Sequence, residues 1–266
     1  VTGGTEYQVV PKNLDVPGYI VTTTVDPENG VITSDKIGNV TVNFTHNYTV
    51  GLNTEDHFAY IRGYEDGTVR PEGNITRAEV ATIFYRLLSS EALEAFKTTE
   101  NTFTDVNSDD WFNLAVSTLA KAGIISGYPD GSFNPNGQIT RAELVCIASR
   151  FFTTIDVGDS KFEDIAGHWA AKEINEAFIN GIINGYDDGT FKPDQAVTRA
   201  EAMKIVNGIL GRTTDTCELI DGVKLWPDVD PDAWYYYIVA DATNSHKYEA
   251  TAPEKWTEII VDEIEY

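Results

Sequence analysis

Ile-Thr-Arg-Ala-Glu stands at residues 75–79 and again at 139–143, and Val-Thr-Arg-Ala-Glu stands at 197–201. Repetition constrains a fold more than local propensity does, because each copy must be one supersecondary unit that buries its apolar face against a neighbour. The arginines lie 64 positions apart (77 to 141) and then 58 (141 to 199). Fourteen positions before each stands a Gly-Tyr pair: Gly63-Tyr64, Gly127-Tyr128 and Gly185-Tyr186. An Asp-Gly step follows each pair, and four residues after its glycine comes Pro71, Pro135 or Pro193. Gly takes positive φ readily and Pro fixes its own, so each copy carries a tight loop leading into the pentapeptide.

Upstream, the second and third copies agree further. Phe103-Thr-Asp105-Val106 matches Phe162-Glu-Asp164-Ile165, and Trp111 and Trp169 each stand sixteen residues before their Gly-Tyr pair. The residues after each Trp repeat apolar side chains at three- and four-residue spacing, as in Ala115, Leu119 and Ala122 or Ile174, Ala177 and Phe178. That is the period of an amphipathic helix. A second helix is expected after each pentapeptide, with apolar positions such as Val80, Ile83, Phe84 and Leu87 in the first copy. One unit therefore reads as helix, Asp-Gly loop, helix.

The first copy lacks room for its first helix, while a spare half-unit follows the third: Trp226-Pro-Asp228-Val229, with Trp234 at the Trp position. The expected division is residues 1–50 as a β segment, 51–98, 99–156 and 157–212 as three repeats, and 213–266 as a closing half-repeat plus tail. The ends then complete a ring, the last half-repeat supplying the helix, Asp and Trp that the first repeat lacks.

Thr-x-x-Glu is a capping box, in which the Thr hydroxyl accepts from the third helical amide and the Glu side chain returns to the cap amide. Thr76 with Glu79, Thr140 with Glu143 and Thr198 with Glu201 have that structural explanation. The arginine between them does not. At the first helical position a cation faces the positive end of the helix dipole, where an acid is the ordinary choice. Arg77, Arg141 and Arg199 are three of only eight arginines. One reading pairs them with loop acids such as Asp66, Asp130 and Asp188. The other has guanidinium, helix amides and turn amides converge on an external anion. The two are compatible. Trp111, Trp169 and Trp234 divide in the same way, either core or staple residues at helix starts or indole faces that cover the apolar face of a sugar.

The chain carries 42 acids against 19 Lys plus Arg, a formal charge of −23 over 266 residues. Nucleic acid and anionic membrane would be repelled, so neither is an expected partner, and an anionic ligand must be caught by a few placed cations. No apolar run approaches the roughly 20 residues needed to span a bilayer. Two cysteines, Cys146 and Cys217, make no disulfide framework, and Cys146 reads as a buried free thiol within an apolar helix pattern. The Asn-x-Thr sequons at Asn39, Asn43, Asn47 and Asn74 fall in or near a Thr-rich segment where they arise by chance.

Together these motifs resemble the S-layer homology family, whose usual complement is three copies, over about residues 52–250. The resemblance implies a mainly α fold, the three repeats forming a pseudo-threefold helical spindle with the TRAE helices central and grooves between repeats, preceded here by a small all-β N-terminal segment. It also implies non-covalent anchoring to a secondary cell wall polysaccharide carrying pyruvylated N-acetylmannosamine at the bacterial surface; the sequence itself holds no nucleophile elbow, phosphate loop or zinc spacing, so no catalysis, metal or cofactor is expected. The ketal carboxylate would be the anion. Carried over, the ligand groups are Arg77, Arg141 and Arg199; Trp111, Trp169 and Trp234; Asp105, Asp164 and Asp228; and the backbones of Gly63, Gly127 and Gly185. The chain is expected to be monomeric.

Residues 1–50 alternate polar and β-branched residues in Tyr19–Val25 and Asn39–Val50 around the turn-forming Asp26-Pro-Glu-Asn-Gly30. They resemble the C-terminal part of a Cna-B-type β-sandwich, a stalk module of surface proteins, which suggests a piece of a longer chain. The family's early Lys-bearing strand is absent and His46 stands where its isopeptide Asn would be, so no isopeptide bond is expected. Two other functions bear weighing. A calcium-dependent assembly module is suggested by Asn184-Gly-Tyr-Asp-Asp-Gly189, but the twelfth residue of that loop is Gln195 rather than the bidentate Glu of an EF-hand. A glycan hydrolase would need a paired set of acids that nothing singles out.

Overall fold

The computed structural model describes residues 5–9, 14–26, 29–32, 42–153, 161–212 and 216–261. Helices dominate, with small β parts at both ends. In chain order the elements are β1 (Thr5–Gln8), β2 (Tyr19–Asp26), β3 (Asn29–Ile32), β4 (Asn43–Val50), α1 (Arg77–Arg86), α2 (Ser90–Phe96), α3 (Asn113–Lys121), α4 (Arg141–Ala148), α5 (Ala171–Ile179), α6 (Arg199–Ile209), β5 (Cys217–Glu218), α7 (Tyr236–Thr243), β6 (His246–Glu249) and β7 (Glu254–Ile259).

The strand alternation read in the first fifty residues forms an antiparallel pair, β2 with β4, in register from Tyr19 opposite Val50 to Asp26 opposite Asn43. Thr23 Oγ1 lies 2.8 Å from His46 Nδ1 across that pair. A second pair joins β1 to β3. Residues 27–28 of the expected turn and 39–41 of the expected strand lie outside the described residues.

Each TRAE helix is started by its own capping box. Thr76 accepts from the Glu79 amide while Glu79 Oε2 accepts from the Thr76 amide at 2.8 Å, and Thr140 with Glu143 and Thr198 with Glu201 do the same. The helices expected after the tryptophans are α3, α5 and α7. They pack on the TRAE helix that precedes them, α3 on α1, α5 on α4 and α7 on α6.

The repeats hold one another in a cycle. The Ile75 amide donates to Val197 O, Val197 to Ile139 O, and Ile139 to Ile75 O, at 3.0–3.2 Å, and all three side chains are fully buried. One step outward, the Arg77 and Ala78 amides donate to Gly137 O and Pro135 O, those of Arg141 and Ala142 to Gln195 O and Pro193 O, and those of Arg199 and Ala200 to Gly73 O and Pro71 O. The first free N–H groups of each TRAE helix, orphans in an isolated helix, are thus satisfied by the next loop round. Val69, Phe133 and Phe191, at one position of the repeat, fill the core beside them.

Two elements were not anticipated. Helix α2 follows an extra N-cap at Ser89, whose side chain accepts from the Ala92 amide. The C-terminal region also forms a sheet of order β5-β7-β6 around Trp256, a fully buried residue. Both cysteines are free, Cys217 buried and Cys146 half-buried rather than fully buried as expected.

Candidate functional site between the repeats

The Asp-Gly loops set the geometry. Gly67, Gly131 and Gly189 have φ near +80°. Asp66, Asp130 and Asp188 each accept from the amide and hydroxyl of the residue two positions on, Thr68, Ser132 or Thr190. Three residues after each glycine the backbone is left-handed again, at Arg70, Asn134 and Lys192 with φ of 51°, 57° and 56°. That conformation points two successive amides at one carboxylate. The Phe133 and Asn134 amides bond Asp105 at 2.7 and 2.8 Å, and those of Phe191 and Lys192 bond Asp164 at 2.9 and 2.7 Å. In the first repeat the Val69 and Arg70 amides bond Asp228, at 3.1 and 2.7 Å. Asp228 thus reaches this loop from the C-terminal region, 159 and 158 positions away from those amides in the chain. All three aspartates are spent on the loop backbone, a structural task.

The arginines are not paired with loop acids. Arg77, Arg141 and Arg199 are 7%, 6% and 4% exposed. Their Nη1 atoms bond the cap glutamate of another repeat: Arg77 to Glu143 at 3.1 Å, Arg141 to Glu201 at 3.2 Å and Arg199 to Glu79 at 3.0 Å. Each Nε donates to a carbonyl of the neighbouring loop, Phe133 O, Phe191 O or Val69 O. Each guanidinium also lies 4.8–4.9 Å from the centroid of Tyr128, Tyr186 or Tyr64. The expectation that folding does not ask for this Arg is therefore corrected. The partner glutamate is at a helix N-terminus of the next repeat, and Arg is the side chain that bridges the two. Burial together with Glu143 or Glu201 pushes the Tyr128 and Tyr186 phenols above their ordinary range, so they remain donors to that carboxylate.

The glycines have a packing reason. A Cβ at Gly63 would collide with Trp226, and at Gly127 and Gly185 with Phe103 and Phe162; each would also meet the carbonyl of Thr68, Ser132 or Thr190.

The tryptophans are exposed, Trp111 55%, Trp169 64% and Trp234 56%, which removes the reading of them as core residues. The residue after each Trp takes the buried place instead: Phe112, Ala170 and Tyr235 are 5%, 0% and 7% exposed. Trp111 borders a cavity of about 340 Å³ lined also by Arg62, Gly63, Tyr64, Glu79, Arg86 and Arg199. Trp234 borders one of about 160 Å³ with Gly185, Tyr186, Arg141, Glu201 and Lys204, whose Nζ lies 5.4 Å from the indole centroid. So the exposed Trp that shares a cavity with Gly63 and Tyr64 is Trp111 of the second repeat and not Trp234 of the C-terminal half-repeat. Arg77 likewise meets Phe133, Glu143 and Tyr128, all of the second repeat. Each cavity brings together an Arg–Glu pair, a glycine of a Gly-Tyr pair and an exposed indole from different parts of the chain.

A family model described as S-layer homology domain matches residues 59–81, 102–145 and 161–203. The chain is 37% identical over 205 residues to cell surface glycoprotein 1 of Acetivibrio thermocellus, covering 73% of this chain and 9% of that protein. It is 34% identical over 218 residues to the cellulosome-anchoring protein of the same organism, covering 80% of this chain and 47% of that protein. To an S-layer protein of Bacillus licheniformis it is 30% identical over 150 residues, covering 55% of this chain and 17% of that protein. The chain thus spans less than half the length of each of these relatives.

Proposed function

The three repeats belong to the S-layer homology family, and from that premise we propose that this chain is a non-catalytic module that fastens a bacterial surface protein to the cell wall. It works outside the cell, at the wall, and holds a secondary cell wall polysaccharide in the grooves between repeats. The three repeats form a pseudo-threefold spindle with residues 1–50 as a separate β segment, 51–98, 99–156 and 157–212 as repeats, and 213–266 as the half-repeat that closes them. The cyclic backbone and Arg–Glu bonds, and Asp228 on the first repeat's loop, support that reading.

The observation that carries the binding proposal is the Trp111 cavity. Arg62, Arg86 and Arg199 line it together, although the chain as a whole is strongly acidic. A pyruvyl ketal carboxylate would lie against guanidinium and the Gly63 backbone, while the Trp111 indole covers the apolar face of the pyranose. The Trp234 cavity, with Arg141, Lys204 and Gly185, offers the same chemistry on a smaller scale. Trp169 and Arg77 are the corresponding groups for a third groove. The aspartates act one step back, by holding the loops that carry the glycines.

The test uses purified walls before and after mild acid treatment, which hydrolyses pyruvyl ketals, and after full removal of the polysaccharide. Retention should fall at the first step and vanish at the second. Retention on fully stripped walls equal to that on native walls would exclude the polysaccharide as the ligand.

A further inference from the structure

His57, Asp241, His246 and Glu254 meet in the interior, 3%, 1%, 1% and 5% exposed. His57 Nδ1 lies 3.1 Å from His246 Nε2, 3.7 Å from Asp241 Oδ2 and 3.6 Å from Glu254 Oε1. His246 Nε2 lies 3.8 Å from Asp241 Oδ2 and 3.6 Å from Glu254 Oε1. Ligand atoms at the corners of a tetrahedral zinc site, with bonds of about 2.0–2.2 Å, are separated by roughly 3.3–3.6 Å. Five of the six pairwise separations, 3.1–3.8 Å, are close to those values, and all four donor atoms lie within 4.8 Å of one another.

We propose that these four side chains form a tetrahedral site for a zinc-class divalent cation. The independent mark of a missing partner is Asp241 Oδ2, a buried oxygen that accepts no hydrogen bond and faces both histidines. Its other oxygen is held by the buried Arg212 at 2.9 Å, which fixes the orientation of the carboxylate. His246 Nδ1 lies 2.9 Å from Asn244 O, so its proton belongs there and the Nε2 lone pair points inward. This is the outer-shell arrangement that metal-ligating imidazoles use. Both rings are pinned, His57 stacked on Tyr248 and His246 on Trp256. Arg212 offsets one of the two buried carboxylates, leaving the other for the cation. Two imidazoles among four ligands suit zinc and not calcium, which takes oxygen donors.

The site is a staple. His57 stands near the start of the first repeat and pairs through its backbone with His246 in β6; Asp241 is in α7 and Glu254 opens β7. The cation would join the start of the helical region to its end, where closure of a long chain segment makes a crosslink effective. No sequence spacing announces it, because the ligands are scattered from 57 to 254, and the expectation of no metal rested on the lack of such a spacing. This inference is independent of the wall-binding proposal.

The test treats the whole chain with a chelator, dialyses it, and titrates in Zn²⁺ by calorimetry and Co²⁺ by visible absorption. One equivalent of Zn²⁺ is expected, with a raised melting temperature and the intense visible bands of tetrahedral Co²⁺. Glu254→Gln should weaken Zn²⁺ binding by at least about tenfold, since losing even an outer-shell partner costs about 10–100-fold. His168→Gln, remote from the cluster, should leave it unchanged. A folded wild-type protein that takes up no stoichiometric Zn²⁺, or weak octahedral Co²⁺ bands, overturns the proposal without needing any variant to fold.

Discussion

Arg199 and Glu79 stand 120 positions apart in the chain, yet their side chains meet at 3.0 Å where the third repeat's helix start faces the first. Glu79 divides its two oxygens, Oε2 accepting from its own helix cap at Thr76 and Oε1 from Arg199 and the Tyr64 hydroxyl. A folding device and an inter-repeat clamp are thus one residue. Removing Arg199 takes the cation from the Glu79 carboxylate and a donor from the Val69 and Arg62 carbonyls. Arg199→Ala should cost about 3 kcal/mol, the low end for breaking a buried pair by deleting one partner, measured by urea unfolding. A loss below about 1 kcal/mol would show that the clamp is not a stabilising contact.

Asp228 ties the C-terminal region to the loop of the first repeat. Its carboxylate takes the Val69 and Arg70 amides, and a hydrogen bond to a charged group is worth about 1.5–3 kcal/mol. Asp228→Ala should lose about that much, as should Asp105→Ala, which holds the same loop within the second repeat. Ending the chain at Arg212 should cost more than either, because α7 no longer covers α6. Thermal melting of the shortened chain equal to that of the whole would contradict closure.

The close approach at Gly127 allows no side chain. Gly127→Ala drives a methyl into Phe103 and Ser132 O, and overpacking of this kind costs about 1–3 kcal/mol. Gly123→Ala meets no neighbouring atom, but it strains a φ of +72°. The two variants separate crowding from conformation: Asn, which tolerates positive φ, should recover part of the loss at Gly123 and none at Gly127.

Acid should act through the Asp-Gly turns. Hydrogen bonds from Thr68, then Arg70, hold the Asp66 carboxyl down to about 2 from its ordinary 3.8, and Ser132 and Thr190 hold Asp130 and Asp188 down in the same way. A carboxyl depressed in the folded state stabilises above its unfolded pKa and loses that contribution as pH falls through the folded value. Stability should therefore drop between about pH 4 and pH 2, and the triple Asp→Asn variant at 66, 130 and 188 should flatten the drop in an acid titration of the melting temperature.

The parts of this fold legible in the sequence were those whose partners lie within a few residues. The capping boxes, the positive-φ glycines and the helix after each Trp follow from spacing alone. The role of the TRAE arginine was not legible, since Glu143, Glu201 and Glu79 lie 66, 60 and 120 positions from their arginines; only the cyclic arrangement of the helix starts brings them together. The tryptophans were ambiguous for a different reason. Trp111 and Phe112 are adjacent large aromatics, and nothing local says which of the two turns inward. Assigning Trp234 to the first repeat's groove followed from counting half-repeats, whereas each Trp lies at the start of a helix packed on the TRAE helix before it. The buried His57–Asp241–His246–Glu254 cluster left no local trace at all.

The tryptophans also give the sharpest test of wall binding, because an exposed indole can be removed without opening the core. Trp111→Ala and Trp234→Ala should change stability by no more than about 0.5 kcal/mol. The measurement is co-sedimentation of the Trp111→Ala/Trp234→Ala double variant with walls that keep their pyruvylated polysaccharide, alongside its melting curve. The account predicts a native melting temperature with retention on the walls largely lost; full retention by the folded double variant would contradict it.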